Sequence, residues 1–375
     1  MRSRARLAGA AALIGVAALL AGCGASPPKP APLEVVAPRI TGKQVWRQSL
    51  GGQPLAGLNV AVQGDRFLLA SREGVVLSLD VTTGAERARI AVGEPLSAGV
   101  GTDGRFIAVV GASNDLIVLE GGKVRWRMRL GSRAVTAPLV AGERVFVQRV
   151  DRTIEAFDAL DGRRLWSLSR SGEPLALAQP GVLLPFKDTL LAGQGARLLQ
   201  IDPLLGSLRQ ELALPAQRGT NEVERLADLV APAVRQGDVL CLRAFQSSVG
   251  CVQVERNQLR WSRNFGGYQG VAADADVLVA ADGSDRISAW KASSGDLLWS
   301  HERLRNRRLS APLISGSTVV FGDFEGWLHF FGRERGDSLL RLPTDGSGIA
   351  APLVRAGTTL LAITQSGGIY AFRPD

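Results

Sequence analysis

Three cysteines and two histidines are the side chains here best suited to covalent or metal chemistry, and their spacing separates what the chain can do from what it lacks. Cys23 closes the run Leu20-Ala21-Gly22-Cys23, behind a leader with Arg2, Arg4 and Arg6 and then an apolar stretch from Leu7 to Leu20. Small residues ahead of a cysteine suit a peptidase cut, and the thiol suits transfer of a diacylglycerol. This lipobox pattern predicts a signal peptide over 1–22 and a lipidated Cys23. Several acyl chains at one residue hold a protein on a membrane stably, where a single chain binds only marginally. Cys241 and Cys251 flank a hairpin tip around Gln246-Ser247-Ser248. They read equally as a disulfide across neighbouring strands, worth about 2–3 kcal/mol, or as two small buried residues. Neither His301 nor His329 lies near them, so no zinc spacing exists and no metal is expected. His329, inside WLHFF, reads as a buried, hydrogen-bonded histidine.

Catalytic constellations are missing from the sequence. It holds no G-x-S-x-G elbow, no H-E-x-x-H and no phosphate-binding Walker loop. Two histidines leave little room for imidazole acid–base work. Carboxylates are numerous and their separations are not set by sequence, so a carboxylate pair is left open. The expectation is a protein that is not an enzyme and takes no cofactor. The formal charge of +9 falls to +6 once Arg2, Arg4 and Arg6 are removed. Its arginines are scattered, with no basic patch interleaved with aromatics, which argues against nucleic acid. The set Arg303, Arg305, Arg307 and Arg308 reads first as a solvated face and second as a contact to acidic protein or lipid phosphate. No internal run of 18 apolar residues exists to span a bilayer.

The elements that must position these residues repeat. One sentence recurs: Ala-Pro, an apolar pair, a turn with Gly, two strands, Gly, then Trp. Its clearest copies are 137–169, 311–331 and 351–373, and openings fall near 59, 99, 137, 184, 231, 270, 311 and 351. Closing strands appear as GKQVWRQSLG at 42, GKVRWRMRLG at 122, GRRLWSLSRSG at 162, NQLRWSRNFGG at 257 and GDLLWSHERL at 295, with copies lacking Trp at 83, 206 and 336. A lone four-stranded sheet cannot bury both faces, but radial stacking buries them. The fold expected is all-β: an eight-bladed β-propeller over 40–375 with four-stranded antiparallel blades. Trp46, Trp126, Trp166, Trp261 and Trp299 are expected to pack between blades. The chain starts with a closing strand and ends with an opening triplet, so the N-terminal strand should complete the last blade and close the ring. Between Cys23 and the body, residues 23–39 hold five prolines and read as a stiff, extended tether.

Most openings lie 38 to 41 residues apart, but two successive intervals are 47. The excess falls in the connections 170–181 (RSGEPLALAQPG) and 214–230 (LPAQRGTNEVERLADLV), which should neighbour each other on one face. Loops that grow on a regular scaffold are commonly functional. Leu175 and Leu177 on the first, and Glu224, Arg225 and Asp228 around Leu226 on the second, have the mix of an interface: apolar contacts with a charged rim.

The Ala-Pro openings and Gly-x-x-x-Trp closings resemble the propeller repeats of PQQ-dependent dehydrogenases. Those enzymes use adjacent cysteines, and no two cysteines are adjacent here, so that likeness reaches the scaffold and not the chemistry; a periplasmic PQQ-dependent dehydrogenase is the alternative reading. Joined to the lipobox, the whole chain resembles the BamB family of lipoproteins of the outer-membrane β-barrel assembly (BAM) machinery, most specifically in 219–234 and 308–331. The resemblance implies a scaffold that binds the POTRA domains of BamA alongside other BAM subunits and aids nascent outer-membrane proteins at a blade edge. It implies a place on the outer membrane, lipid-anchored and facing the periplasm, consistent with Gly24 rather than Asp after Cys23. The family docks through a Leu-x-Leu-Arg loop and nearby acidic residues. Leu175 and Leu177 match the leucines, Ala178 stands where the family has arginine, Asp228 matches one acidic position, and Val230 stands at the other.

Overall fold

The computed structural model describes residues 28–170, 175–216, 221–223 and 226–374. The expected signal peptide, Cys23, Glu224 and Arg225 lie outside them. Thirty-two strands form eight four-stranded antiparallel sheets. Blades 1 to 7 occupy residues 61–91, 96–129, 139–169, 183–213, 229–264, 272–301 and 313–343. Blade 8 takes three strands from the end of the chain and its outer strand, Gly42–Ser49, from the beginning. That strand pairs antiparallel with Gly368–Pro374, placing Trp46 opposite Ala371. Both chain ends are thereby tied into one sheet, as the repeat count requires.

The second and third strands of the blades are largely apolar on both faces and mostly buried, as Phe67-Leu68-Leu69-Ala70 and Ile117-Val118-Leu119 illustrate. Turns into the outer strands rest on aspartate. Asp80 Oδ1 accepts the backbone N–H groups of Thr82 and Thr83 at 2.9 and 2.8 Å, and Asp202 Oδ1 accepts those of Leu204 and Leu205 at 2.8 and 3.0 Å. Such side-chain bonds mimic a backbone turn.

These turns receive the tryptophan of the preceding blade. The indole N–H of Trp46, Trp126, Trp166, Trp261 and Trp299 donates to the carbonyls of Val81, Ala159, Pro203, Ala292 and Arg333, all at 2.8–3.0 Å. Each indole lies on the glycine three residues further on: Gly84, Gly162, Gly206, Gly295 and Gly336. All five glycines have φ between +67° and +77°, and a Cβ on any would come within 2.5–2.7 Å of the ring. Two independent demands, left-handed backbone and an absent side chain, therefore converge on one residue.

Two of the three junctions without Trp follow from what they face; nothing in the structure explains Ala88 at the third. Ala88, Gln210 and Leu340 hold the tryptophan's register. Behind Gln210, the receiving turn of blade 5 carries Asn257 (φ +48°) in place of glycine. There the amide of Gln200 donates to the equivalent carbonyl, Val254 O, at 2.9 Å. Leu340 faces blade 8, whose outer strand opens on Gly42; a Cβ there would lie 2.8 Å from Leu340 Cδ2.

Residues 28–39 are extended, as their prolines dictate, and they lie along the flank of blades 6 and 7. Ala31 N–H donates to Arg305 O at 2.8 Å and Arg39 N–H to Leu339 O at 2.8 Å. Asn306 Nδ2 donates to Lys29 O (3.0 Å), Arg307 Nη1 to Ala31 O (3.0 Å) and Arg341 Nη1 to Glu34 O (2.9 Å). Leu33 packs on the cluster shared by blades 6 and 7. The expectation of a solvated face at the four arginines needs correcting for Arg307. It is buried, bonded through Nε to Asp323 at 2.8 Å and through Nη2 to Glu325, because the strap covers it. His329 shares that network: its Nε2 meets Asp323 Oδ2 at 3.0 Å, and its Nδ1 accepts from Arg341 Nε at 3.2 Å. The protonated ring nitrogen is therefore Nε2.

Two measurements check these packing arguments. Gly162→Ala should destabilise by about 2–5 kcal/mol, because it adds a clash with Trp126 to a left-handed backbone. Gly142→Ala, also left-handed (φ +58°) but with open space around the new Cβ, should cost only about 1–2 kcal/mol; denaturant unfolding compares the two. His301 stacks on Trp299 at 5.6 Å with neither ring nitrogen hydrogen-bonded. Burial, aided by Arg303, pushes it down to about 4. The unfolded chain takes up this proton first, so its stability contribution is present above about 6.5 and lost as pH falls from there toward 4. His301→Phe should flatten that part of the stability–pH profile relative to the parent protein.

Candidate functional site

In each antiparallel blade the connection to the next blade leaves on the same face as the turn between the second and third strands. The two lengthened connections, 170–182 between blades 3 and 4 and 214–228 between blades 4 and 5, therefore share a face. Asp228 ties them together. Its Oδ2 accepts Leu177 N–H at 2.9 Å, and its Oδ1 accepts Gly195 N–H at 2.8 Å and Arg152 Nη1 at 3.2 Å. Arg152, in the blade 3 turn, also donates through Nη2 to Leu175 O at 2.7 Å. Side-chain exposures of 13% and 16% for Arg152 and Asp228 put this pair below the surface. A half-buried, hydrogen-bonded carboxylate of this kind positions backbone.

Leu175 (38% exposed) and Ala178 face outward. Leu177 and Leu226 are half-buried, and Val223 is exposed. Between the insertions lies a cavity of about 320 Å³ lined by Leu175, Leu214, Leu226 and Ala196, with Arg152, Arg170 and Arg197 among its walls. Arg170 Nη1 donates to Glu211 Oε2 at 2.6 Å, and Arg197 binds the other oxygen of the same carboxylate. Arg170 beside it holds the Glu211 carboxyl below its ordinary range. The walls thus combine aliphatic side chains with cations, an arrangement suited to holding an apolar segment flanked by acidic groups. Leu175, Leu177, Ala178 and Asp228 come together here. Arg152 and Arg197 belong to the same place although their sequence positions gave no sign of it; they sit in ordinary repeat positions and meet the insertions only in the fold, whereas Arg170 opens the first insertion itself. At the first insertion's far end, Gln179 Nε2 donates to Tyr268 O at 3.0 Å, tying it to the connection between blades 5 and 6.

Elsewhere, Cys241 and Cys251 face each other on paired strands of blade 5, Cα atoms 4.1 Å apart, and are joined in a disulfide. Among the described residues no group of three or more His, Cys, Asp or Glu side chains is placed to hold a metal ion.

The family model described as outer membrane protein assembly factor BamB matches this chain over residues 33–95, 72–301 and 269–375. The outer membrane protein assembly factor BamB of Burkholderia pseudomallei is 33% identical over 348 residues, covering 92% of this chain and 91% of that protein. The protein of the same name from Bordetella pertussis is 31% identical over 350 residues, covering 92% and 91%. The crystal structure of BamB from Moraxella catarrhalis superposes with a TM-score of 0.81 at 21% identity, covering 89% of this chain and all of that one; at that identity the likeness speaks for the fold.

Asp228→Ala should free the first insertion while leaving the blades intact. The expected outcome is faster hydrogen exchange at the Leu177 and Gly195 amides and a loss of about 1–3 kcal/mol in stability. Unchanged exchange at Leu177 would show that the clasp does not hold the loop.

Proposed function

Because the chain belongs to the family of the outer membrane protein assembly factor BamB, we propose that it serves outer-membrane protein assembly as a non-catalytic scaffold, docking on the POTRA domains of BamA through its two insertions. The observation that supports this most is the clasp of Asp228. It spends a carboxylate on fixing the backbone of the Leu175–Ala178 segment, so that Leu175 is presented rather than folded away. Rigid presentation of an apolar anchor lowers the entropy lost on binding. Hot spots of this kind are few and central, ringed by polar groups that exclude water.

Asp228 then acts on the partner through the loop it holds. With Ala178 where the family has arginine, the cations of this site come from Arg170 at the start of the first insertion and Arg197 of blade 4, both at the cavity between the insertions. Glu224 and Arg225, which lie outside the described residues, are further partner contacts in this reading. Acyl chains on Cys23 hold the body at the outer membrane on its periplasmic side, where the oxidising compartment suits the Cys241–Cys251 bridge.

Leu175→Asp together with Leu177→Asp should abolish co-purification with BamA, a loss of at least about thirtyfold in affinity if one hot-spot contact of about 2 kcal/mol is removed. The thermal transition should stay cooperative, since neither side chain is in the blade core. Retained co-purification would place the docking surface elsewhere.

A further inference from the structure

The N-terminal strap has a direction. Lys29 and Ala31 sit on the connection between blades 6 and 7, bonded to Asn306, Arg305 and Arg307. Arg39 sits at Leu339, near the start of the outer strand of blade 7. That strand starts on the opposite face and ends on the face of the insertions. The described chain therefore emerges, at Pro28, on the insertion face, two junctions round the ring from the second insertion. Only four residues lie between Cys23 and Pro28, five Cα-to-Cα steps. Fully extended, they reach at most about 18 Å. The acyl chains must enter the bilayer within that distance of the turn at 302–308.

That turn carries exposed positive charge. Arg307 is neutralised by Asp323 and Glu325, Arg303 reaches back along the flank to Gly336 O, and Arg305 pairs with Glu302 at 2.8 Å. Lys29 and Arg308 are exposed, and among the described residues neither has an ion-pair partner; Arg305 is exposed as well, and its pair with Glu302 lies at the surface, where water and salt screen it and leave the guanidinium free to exchange partners. Cations held within a Debye length of a lipid surface are drawn to anionic headgroups.

We propose that this rim, formed by Lys29, Arg305 and Arg308, is a docking surface for a bilayer bearing anionic phospholipid headgroups, with the strap fixing where the anchor enters. The inference rests on the reading of Cys23 as the acylated residue. It goes further, because it sets the orientation of the ring: the membrane and the insertion-bearing face lie on the same side, and the scaffold offers its partner a surface beside the lipid. A short anchor that leaves from the opposite face would allow neither.

The test uses the full lipidated chain in vesicles of zwitterionic lipid with about a quarter anionic phosphatidylglycerol, doped with a lipid that carries a nitroxide on its headgroup. A fluorophore is attached at Gly283→Cys, on the insertion face beside Asn306, or at Ser317→Cys, on the opposite face of blade 7. The label at 283 should be quenched several times more strongly than the label at 317. Arg305→Glu with Arg308→Glu, or vesicles without anionic lipid, should bring the two labels to similar quenching. Equal quenching in the parent protein, or an asymmetry indifferent to both changes, would overturn headgroup docking. A chain that does not partition with vesicles would overturn the anchor and the docking with it. Pull-down of BamA in detergent separates the two readings. The double glutamate variant should retain it, and its loss would assign the rim to a protein contact instead.

Discussion

An indole resting on a glycine holds this ring together. At five of eight junctions the tryptophan of one blade donates its N–H to a turn carbonyl of the next and covers the glycine that ends that turn. The contact sets both the distance and the angle between blades, because the glycine cannot acquire a side chain and the carbonyl cannot turn away. Each blade is a twisted sheet with two apolar faces and would not be stable alone. Its stability is shared with its neighbours, so the structure depends on closing the ring. The paired ends of the chain do that, in blade 8.

The repeat makes most of this legible in the sequence. Gly-x-x-x-Trp at a steady offset marks a residue that must be small beside one that must be large, and three apolar strands per unit leave few folds that bury them. The exceptions were readable as degenerate copies but not as substitutions with reasons. That Gln200 takes over the donor's task where Asn257 replaces glycine depends on two blades meeting, which no local pattern reports. The same holds for Arg307. Four arginines in a short connection look solvated until a distant segment, 28–39, is laid across one of them. Proline content foretold that this segment is extended and said nothing of what it touches.

The candidate site divides along the same line. Its place was visible as two long intervals in an otherwise regular repeat, and Leu175 stands out because a blade has no use for it. The division of labour within the site was not visible. Asp228 resembles a partner contact by position, yet its oxygens are occupied by Leu177, Gly195 and Arg152. It makes the two insertions one object. Two of the cations that line the cavity, Arg152 and Arg197, come from repeat positions of blades 3 and 4, so the scaffold contributes to the surface as well as supporting it. The propeller reads as a rigid frame that presents a small apolar contact on one face of the ring.

Hydrogen exchange along the whole chain, alone and in complex with BamA, tests that account most directly. Protection on binding should be concentrated in the peptides covering 175–178 and 221–228, with the outer strands of the blades unchanged. Protection confined to the opposite face or to the outer strands, with both insertions exchanging as in the free protein, would contradict it.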